Sequence, residues 1–301
     1  MNAALLLSPL VLASGALPAV HDASGSQDAA ETDIIDGRND GHDRLTVPVQ
    51  IGAHGPYRFL VDTGAQNTVL SRTIATEMAL PLGQQRRLVG VAGTQMVDTV
   101  TVDQIDLGKR SYFDLLAPLL EREHIGADGI LGIDSLQQQR VLIDFRRNII
   151  AVDDAQSLGG NRGYDIVVTA RRRSGQLIMT DANLDGIRIN VVIDTGAETS
   201  IGNRALQSAM ARRHLPEQTM LQSVTGQEII ADLSMGRRLS ISDISFVNVQ
   251  IAYADSPAFA ALHLEDRPTL LLGVRDLRAL DRVAIDFSTR RIYFDVPAGL
   301  L

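Results

Sequence analysis

Two aspartates stand at the same point of two matching stretches. Phe59-Leu60-Val61-Asp62-Thr63-Gly64-Ala65 returns as Val191-Val192-Ile193-Asp194-Thr195-Gly196-Ala197, the two acids separated by a little under half the chain. Each copy is an apolar run that delivers a carboxylate, a hydroxyl and a glycine at its C-terminal end. A carboxylate at the end of a buried strand is costly unless something pairs with it or uses it. Two of them on matching repeats predict a symmetric site in which the acids face each other. So placed, Asp62 and Asp194 cannot both be ionised cheaply; they share one proton and titrate as a pair. A water held between them meets a base on one side, while the acid on the other polarises a carbonyl. Hydrolysis of a peptide bond through a tetrahedral diol, with no covalent enzyme intermediate, is the chemistry this arrangement allows. Gly64 and Gly196 let the backbone turn sharply past each carboxylate and bring amide donors to it. Thr63 and Thr195 carry hydroxyls able to bond across the junction and lock the two loops together.

The acids need scaffolds that hold them alike, and the chain is repetitive enough to supply them. From Ile34 onward short runs of Val, Ile, Leu and Thr alternate with Gly, Asp and Asn, a strand-and-turn texture. Leu45–Ile51 reads as a strand, 52–56 as a turn and 57–62 as the strand carrying the first acid. A short helix over 71–79, ended by Pro81, is echoed by a helix over 203–214, ended by Pro216. Gly93 follows Asp62 at almost the same spacing as Gly226 follows Asp194, each between two strand-like runs like the tip of a hairpin. Gly129-Ile130-Leu131-Gly132 matches Leu270-Leu271-Leu272-Gly273, with Leu131 and Leu272 expected to buttress the acid loops. Arg140-Val141-Leu142-Ile143-Asp144-Phe145 matches Arg282-Val283-Ala284-Ile285-Asp286-Phe287, and Asp144 and Asp286 read as structural acids beside turns. Four landmarks in one order imply an internal duplication: lobes over 34–153 and 164–301, joined by a linker over 154–163 rich in Gly, Ser, Gln and Asn. Asp181-Ala182-Asn183-Leu184-Asp185-Gly186 opens like a calcium-binding loop, but its twelfth position is Val192 and its flanks are strand-like, so it reads as a turn.

Composition removes several other chemistries. The 301 residues are 45% hydrophobic with a net charge of −8, which suits globular domains and not a nucleic-acid binder. Arginine doublets at 86–87, 146–147, 237–238 and 290–291, and the triplet 171–173, read as solvated loop and strand ends. There is no cysteine, hence no disulfide or thiolate chemistry, and the six histidines have no metal-ligand spacing, so neither metal nor cofactor is expected. Residues 1–33 read as an apolar, alanine- and leucine-rich export leader followed by an acidic spacer. The expectation is a periplasmic or secreted protein, or one tethered to a membrane by that segment, whose mature part is soluble.

The doubled Asp-Thr-Gly-Ala, the glycine-tipped segment after each copy and the Ile130-Leu131-Gly132 and Leu271-Leu272-Gly273 triplets resemble the pepsin and retropepsin superfamily. More narrowly, the chain resembles bacterial exported retropepsin-like proteases with two such domains in one polypeptide. Over residues 34–296 the resemblance implies a mainly β fold of two pseudo-symmetric closed barrels with short helices, a cleft between them, and flaps above it. It places Asp62 and Asp194 as the catalytic pair and Gly93 and Gly226 at the flap tips, acting on a protein or peptide. Pepsins carry Ser or Thr after Asp-Thr-Gly where this chain has Ala65 and Ala197, as retropepsins do; a pH optimum less acidic than pepsin's is implied. No counterpart of the pepsin flap tyrosine stands near Gly93 or Gly226. Two alternatives remain: a non-catalytic module of the same fold that holds a peptide by strand addition, and a homodimer pairing Asp62 with its own copy. Because Asp194 supplies the partner within the chain, a monomer is expected.

Overall fold

Within Leu45–Ile51, Val47, Val49 and Ile51 are buried while Pro48 and Gln50 are exposed, the alternation of a strand with one face on a core. A computed structural model of the chain describes residues 34–39, 44–136, 139–153, 158, 163–173, 175–210 and 217–297. The expected leader and spacer (1–33), and all of the expected linker except residues 158 and 163, lie outside the described residues.

Six strands of the first lobe close on themselves in the order Leu45–Ile51, His54–Val61, Gly129–Leu131, Val69–Ser71, Arg110–Leu120 and Thr99–Leu107, the last returning to the first. The second lobe repeats the ring with Gln176–Leu184, Ile187–Ile193, Thr269–Leu272, Ser200–Gly202, Ile244–Tyr253 and Glu228–Ile241. Closure leaves these strands without open edges and packs Val, Ile and Leu side chains inside, among them Val49, Leu70, Val100, Ile105, Leu184, Val191, Leu239 and Ile251, all at 0% exposure.

The turn expected over 52–56 is shorter: the second strand begins at His54, leaving Gly52, at φ +56°, and Ala53 to reverse the chain. The first helix spans Arg72–Glu77, capped by the Ser71 side chain accepting from the Ile74 amide. The second spans Arg204–Met210, and residues 211–216, including its expected proline stop, lie outside the described residues. The calcium-loop lookalike is a hairpin turn between Gln176–Leu184 and Ile187–Ile193, where the Asn183 side chain accepts the Gly186 amide at 2.7 Å. All four arginine doublets are exposed.

A third sheet joins the lobes. Its antiparallel strands run Ile34–Asp36, Ile149–Asp153, Arg140–Asp144, Arg282–Asp286, Arg291–Asp295 and Ile166–Thr169. The matched segments that sequence comparison aligned are here each other's neighbours: Arg140 lies opposite Asp286, Leu142 opposite Ala284 and Asp144 opposite Arg282. The pseudo-two-fold relation therefore passes through the middle of this pair. Asp144 does sit beside a turn, accepting the Arg147 amide at 2.9 Å. Asp286 accepts the Thr289 amide likewise, and is also ion-paired at 2.9 Å with Arg140, both side chains wholly buried.

Candidate active site

Each acid is fixed by the strand beside it. The end of His54–Val61 runs parallel to Gly129–Leu131, and the Asp62 amide then donates to the Leu131 carbonyl at 3.1 Å. In the second lobe Ile187–Ile193 runs parallel to Thr269–Leu272, and the Asp194 amide donates to Leu272 at 3.0 Å. Leu131 and Leu272 thus buttress the loops as expected, both at 0% exposure. The glycines after them are needed for close approach: a Cβ on Gly132 would lie 2.4 Å from the Asn67 carbonyl carbon, and one on Gly273 2.7 Å from that of Thr199. A further matched pair, not singled out from the sequence, braces these turns. The Thr68 hydroxyl donates to Asp134 at 2.8 Å and accepts the Gly132 amide at 3.2 Å. Ser200, at the same place in the second repeat, donates to Asp276 and accepts the Gly273 amide at 3.0 Å.

The two loops meet head to head. The Thr63 hydroxyl donates to the Ile193 carbonyl at 2.9 Å, and the Thr195 hydroxyl donates to the Val61 carbonyl at 2.7 Å. Each hydroxyl also accepts the other threonine's amide, at 3.0 Å from Thr63 and 3.4 Å from Thr195. Both threonines are buried, so these bonds work in a low-dielectric environment. Gly64 and Gly196 let the acids approach, since a Cβ on Gly64 would stand 2.8 Å from the Asp194 Cγ and one on Gly196 2.3 Å from the Asp62 Cγ. Asp62 and Asp194 thus come close enough for each to act on the other's ionisation.

Backbone amides stabilise the ionised form on both sides. Asp62 Oδ1 accepts from Gly64 at 2.7 Å and Ala65 at 3.1 Å; Asp194 Oδ1 accepts from Gly196 and Ala197, both at 3.1 Å. The alanines, whose side chains cannot bond a carboxylate, contribute through their amides. Both acids retain some contact with solvent, yet the surrounding protein is close enough that burial is the largest influence on each. It raises Asp62, against the Gly64 and Ala65 amides and the charge of Arg44. Asp194 is pushed up to about 8 by burial and then by the negative charge of Asp62. One proton on the pair is the stable state between the two ionisations.

Two more side chains reach the loops, and neither was foreseen. Arg44, 8% exposed, donates to the Gly196 carbonyl at 3.5 Å and the Ile125 carbonyl at 2.8 Å. Gln176 donates through Nε2 to the Gly64 carbonyl. The only trace in the sequence is their separation, which equals that of the two acids.

Gly93 and Gly226 are both found in hairpin turns. The first hairpin pairs Arg86–Val89 with Thr94–Val97 and is closed by the Gly90 amide donating to Gly93 at 2.8 Å. The second pairs Glu217–Gln222 with Glu228–Ile241 and is closed by the Ser223 amide donating to Gln227 at 2.8 Å. The turns touch: a Cβ on Gly90 would lie 2.3 Å from Ser223 Oγ, and one on Gly93 2.5 Å from Gln227 Oε1. They also cross, Val91 packing on apolar residues of the second lobe and Val224 on those of the first. A cavity of about 600 Å3 lies in the inter-lobe sheet and its turns, lined by charged residues such as Asp144, Arg146 and Asp281. Among the described residues no group of three or more His, Cys, Asp or Glu side chains is placed to hold a metal ion, and no helix is long and apolar enough to cross a membrane.

Comparison with known proteins divides the chain in the same way. Residues 47–138 match the family model of the gag-polyprotein aspartyl protease, and residues 180–275 match that of the aspartyl protease. Each segment contains one of the two aspartates. Protein DDI1 homolog 1 of Homo sapiens is 27% identical over 161 residues, which is 50% of this chain and 38% of that protein. The likeness therefore spans well under two thirds of the relative's length.

Proposed function

Two retropepsin-like aspartyl protease domains stand in tandem in this chain, and from that premise we propose that it is an aspartic endopeptidase working as a single polypeptide. A protein or peptide lies between the acids and the hairpins in extended form, held by main-chain hydrogen bonds. One carboxylate of the pair takes a proton from a bound water, and the water oxygen bonds to the scissile carbonyl carbon. The other carboxyl gives its proton to the carbonyl oxygen, producing a neutral diol. Collapse of the diol breaks the C–N bond. The nitrogen leaves with the proton taken from water, and a diol hydroxyl returns its proton to the second carboxyl. The pair is regenerated with one proton.

The observation that carries this reading is the meeting of the two acid loops, in which each glycine abuts the opposite carboxyl and each acid has amides aimed at one oxygen. A module that only held peptides would gain nothing from two acids that strain each other's ionisation, so the binding-only alternative is the weaker one. Residues 1–33, read from the sequence as a leader and spacer, support a site of action outside the cytoplasm.

The test is incubation of the full chain with a denatured protein, with new termini identified by mass spectrometry across a range of pH. Cleavage by material of monomer mass is expected, with an optimum well above the roughly pH 2 region where both acids of a pepsin-type pair begin to protonate. No new termini at any pH, or cleavage confined to about pH 2, would count against it.

A further inference from the structure

The duplication makes the two acids equivalent in sequence, but the residues behind them are not. Arg44 and Gln176 occupy the same place in the two repeats, as far apart in the chain as the acids themselves. Each reaches across the junction to the carbonyl of the glycine in the opposite acid loop, Arg44 to Gly196 and Gln176 to Gly64. Gly196 is the residue that abuts the Asp62 carboxyl, and Gly64 abuts that of Asp194. A buried cation therefore stands on the Asp62 side of the pair and a neutral amide at the corresponding place on the Asp194 side. In a low-dielectric setting a full charge at this range outweighs an amide dipole.

Among the described residues, the charge nearest in sequence to the second acid loop is Glu198, ion-paired with Arg275 at 2.7 Å. The two hairpin turns that meet between the lobes read Gly90-Val91-Ala92-Gly93 and Ser223-Val224-Thr225-Gly226-Gln227, with no charged side chain. Asp134 and Asp276, on the helices behind the loops, are turned to the hydroxyls of Thr68 and Ser200. His124 packs under Gly226 of the second turn.

We propose that Arg44 is a positioning residue that breaks the two-fold equivalence of the pair, holding the shared proton on Asp194 and leaving Asp62 to accept the proton of the attacking water. The electrostatics agree. The Arg44 charge lowers Asp62, whereas the charge of Asp62 raises Asp194. The assignment rests on the protease reading, because only there does the order of the two ionisations decide which acid is base and which is proton donor.

Carboxyl NMR of the full chain carrying 13C-labelled aspartate, with Asp62 and Asp194 assigned from their Asn variants, reads that order without any cleavage. In the native chain Asp62 loses its proton in the lower step and Asp194 in the upper. Arg44→Lys keeps that order. Arg44→Gln raises the lower step and spreads it over both residues, and Arg44→Gln combined with Gln176→Arg reverses it. In activity, Arg44→Gln cleaves about tenfold more slowly at the pH where the native enzyme is half-active on its acidic limb, and recovers towards neutral pH. If Arg44→Gln does not fold, the native order and a lowered Asp194 step in Gln176→Arg carry the test. The proposal fails if Asp194 ionises first in the native chain, if folded Arg44→Gln leaves the order unchanged, or if the activity loss is the same at every pH. A chain with the predicted order that cuts nothing would defeat the protease reading, and with it the role of Asp62 as base, while the placement of the proton by Arg44 would stand.

Discussion

Asp194 shows what the site costs the protein that carries it. Its carboxyl has an ordinary value of 3.8 and is raised to about 8 in the folded chain, by burial first and the Asp62 charge second. The folded state thus holds that proton more tightly than the unfolded chain does. The stability this contributes is present in full below pH 3.8 and is lost progressively as pH rises to about 8. Asp194→Asn, which cannot ionise, should melt above the native protein at pH 8, with a gap that shrinks towards pH 4. Calorimetry across that range checks it, and parallel melting curves for the two proteins would contradict it. Both acids and their threonines and glycines were legible in the sequence, because the chemistry needs those residue types in that order and the repeat shows them twice. Arg44 and Gln176 were not. They donate to backbone carbonyls, a role that leaves no compositional mark, and an arginine beside a glutamine does not look like a repeat.

At the level of elements, the inter-lobe sheet is where the repeats stop being alike. Arg140 is wholly buried with Asp286, and its guanidinium carbon stands 4.3 Å from the centre of the Tyr293 ring. Its repeat equivalent Arg282 pairs with Asp295 at the margin, where its side chain keeps 34% exposure. Burial alone would raise Asp286, but hydrogen bonds from Ser288 and Thr289 and the Arg140 interaction outweigh it and hold the carboxyl below its usual range. Arg140→Leu leaves that charge buried without its partner, at a cost of about 3–5 kcal/mol. Arg282→Leu removes a partly exposed arginine from a pair that keeps some contact with water, and costs less than Arg140→Leu. Urea unfolding of the two variants measures the difference, and equal losses would show that the buried pair has no special role. The matching Arg-to-Asp segments were visible in the sequence, and their aspartates read as structural acids beside turns. Their real partners were hidden, since nothing within a strand states which distant strand it pairs with.

For the whole molecule, the repeat dictated the main outcome. Apolar runs ending in an acid, followed by a glycine-tipped hairpin and a Leu-Gly turn, build the same closed barrel twice and set the acids on the line relating the lobes. The crossing of the hairpins, Val91 onto the second lobe and Val224 onto the first, was beyond the sequence, because it depends on how the finished lobes face each other. On the proposed reading the assembly is one site made from two halves, each supplying one acid. The direct measurement is cleavage of a denatured protein by the native chain, Asp62→Asn and Asp194→Asn, each confirmed as folded by its near-UV spectrum and thermal transition. The account predicts new termini from the native chain and a loss of at least about 10²–10⁴-fold in each variant. Near-native cleavage by either folded variant would contradict it.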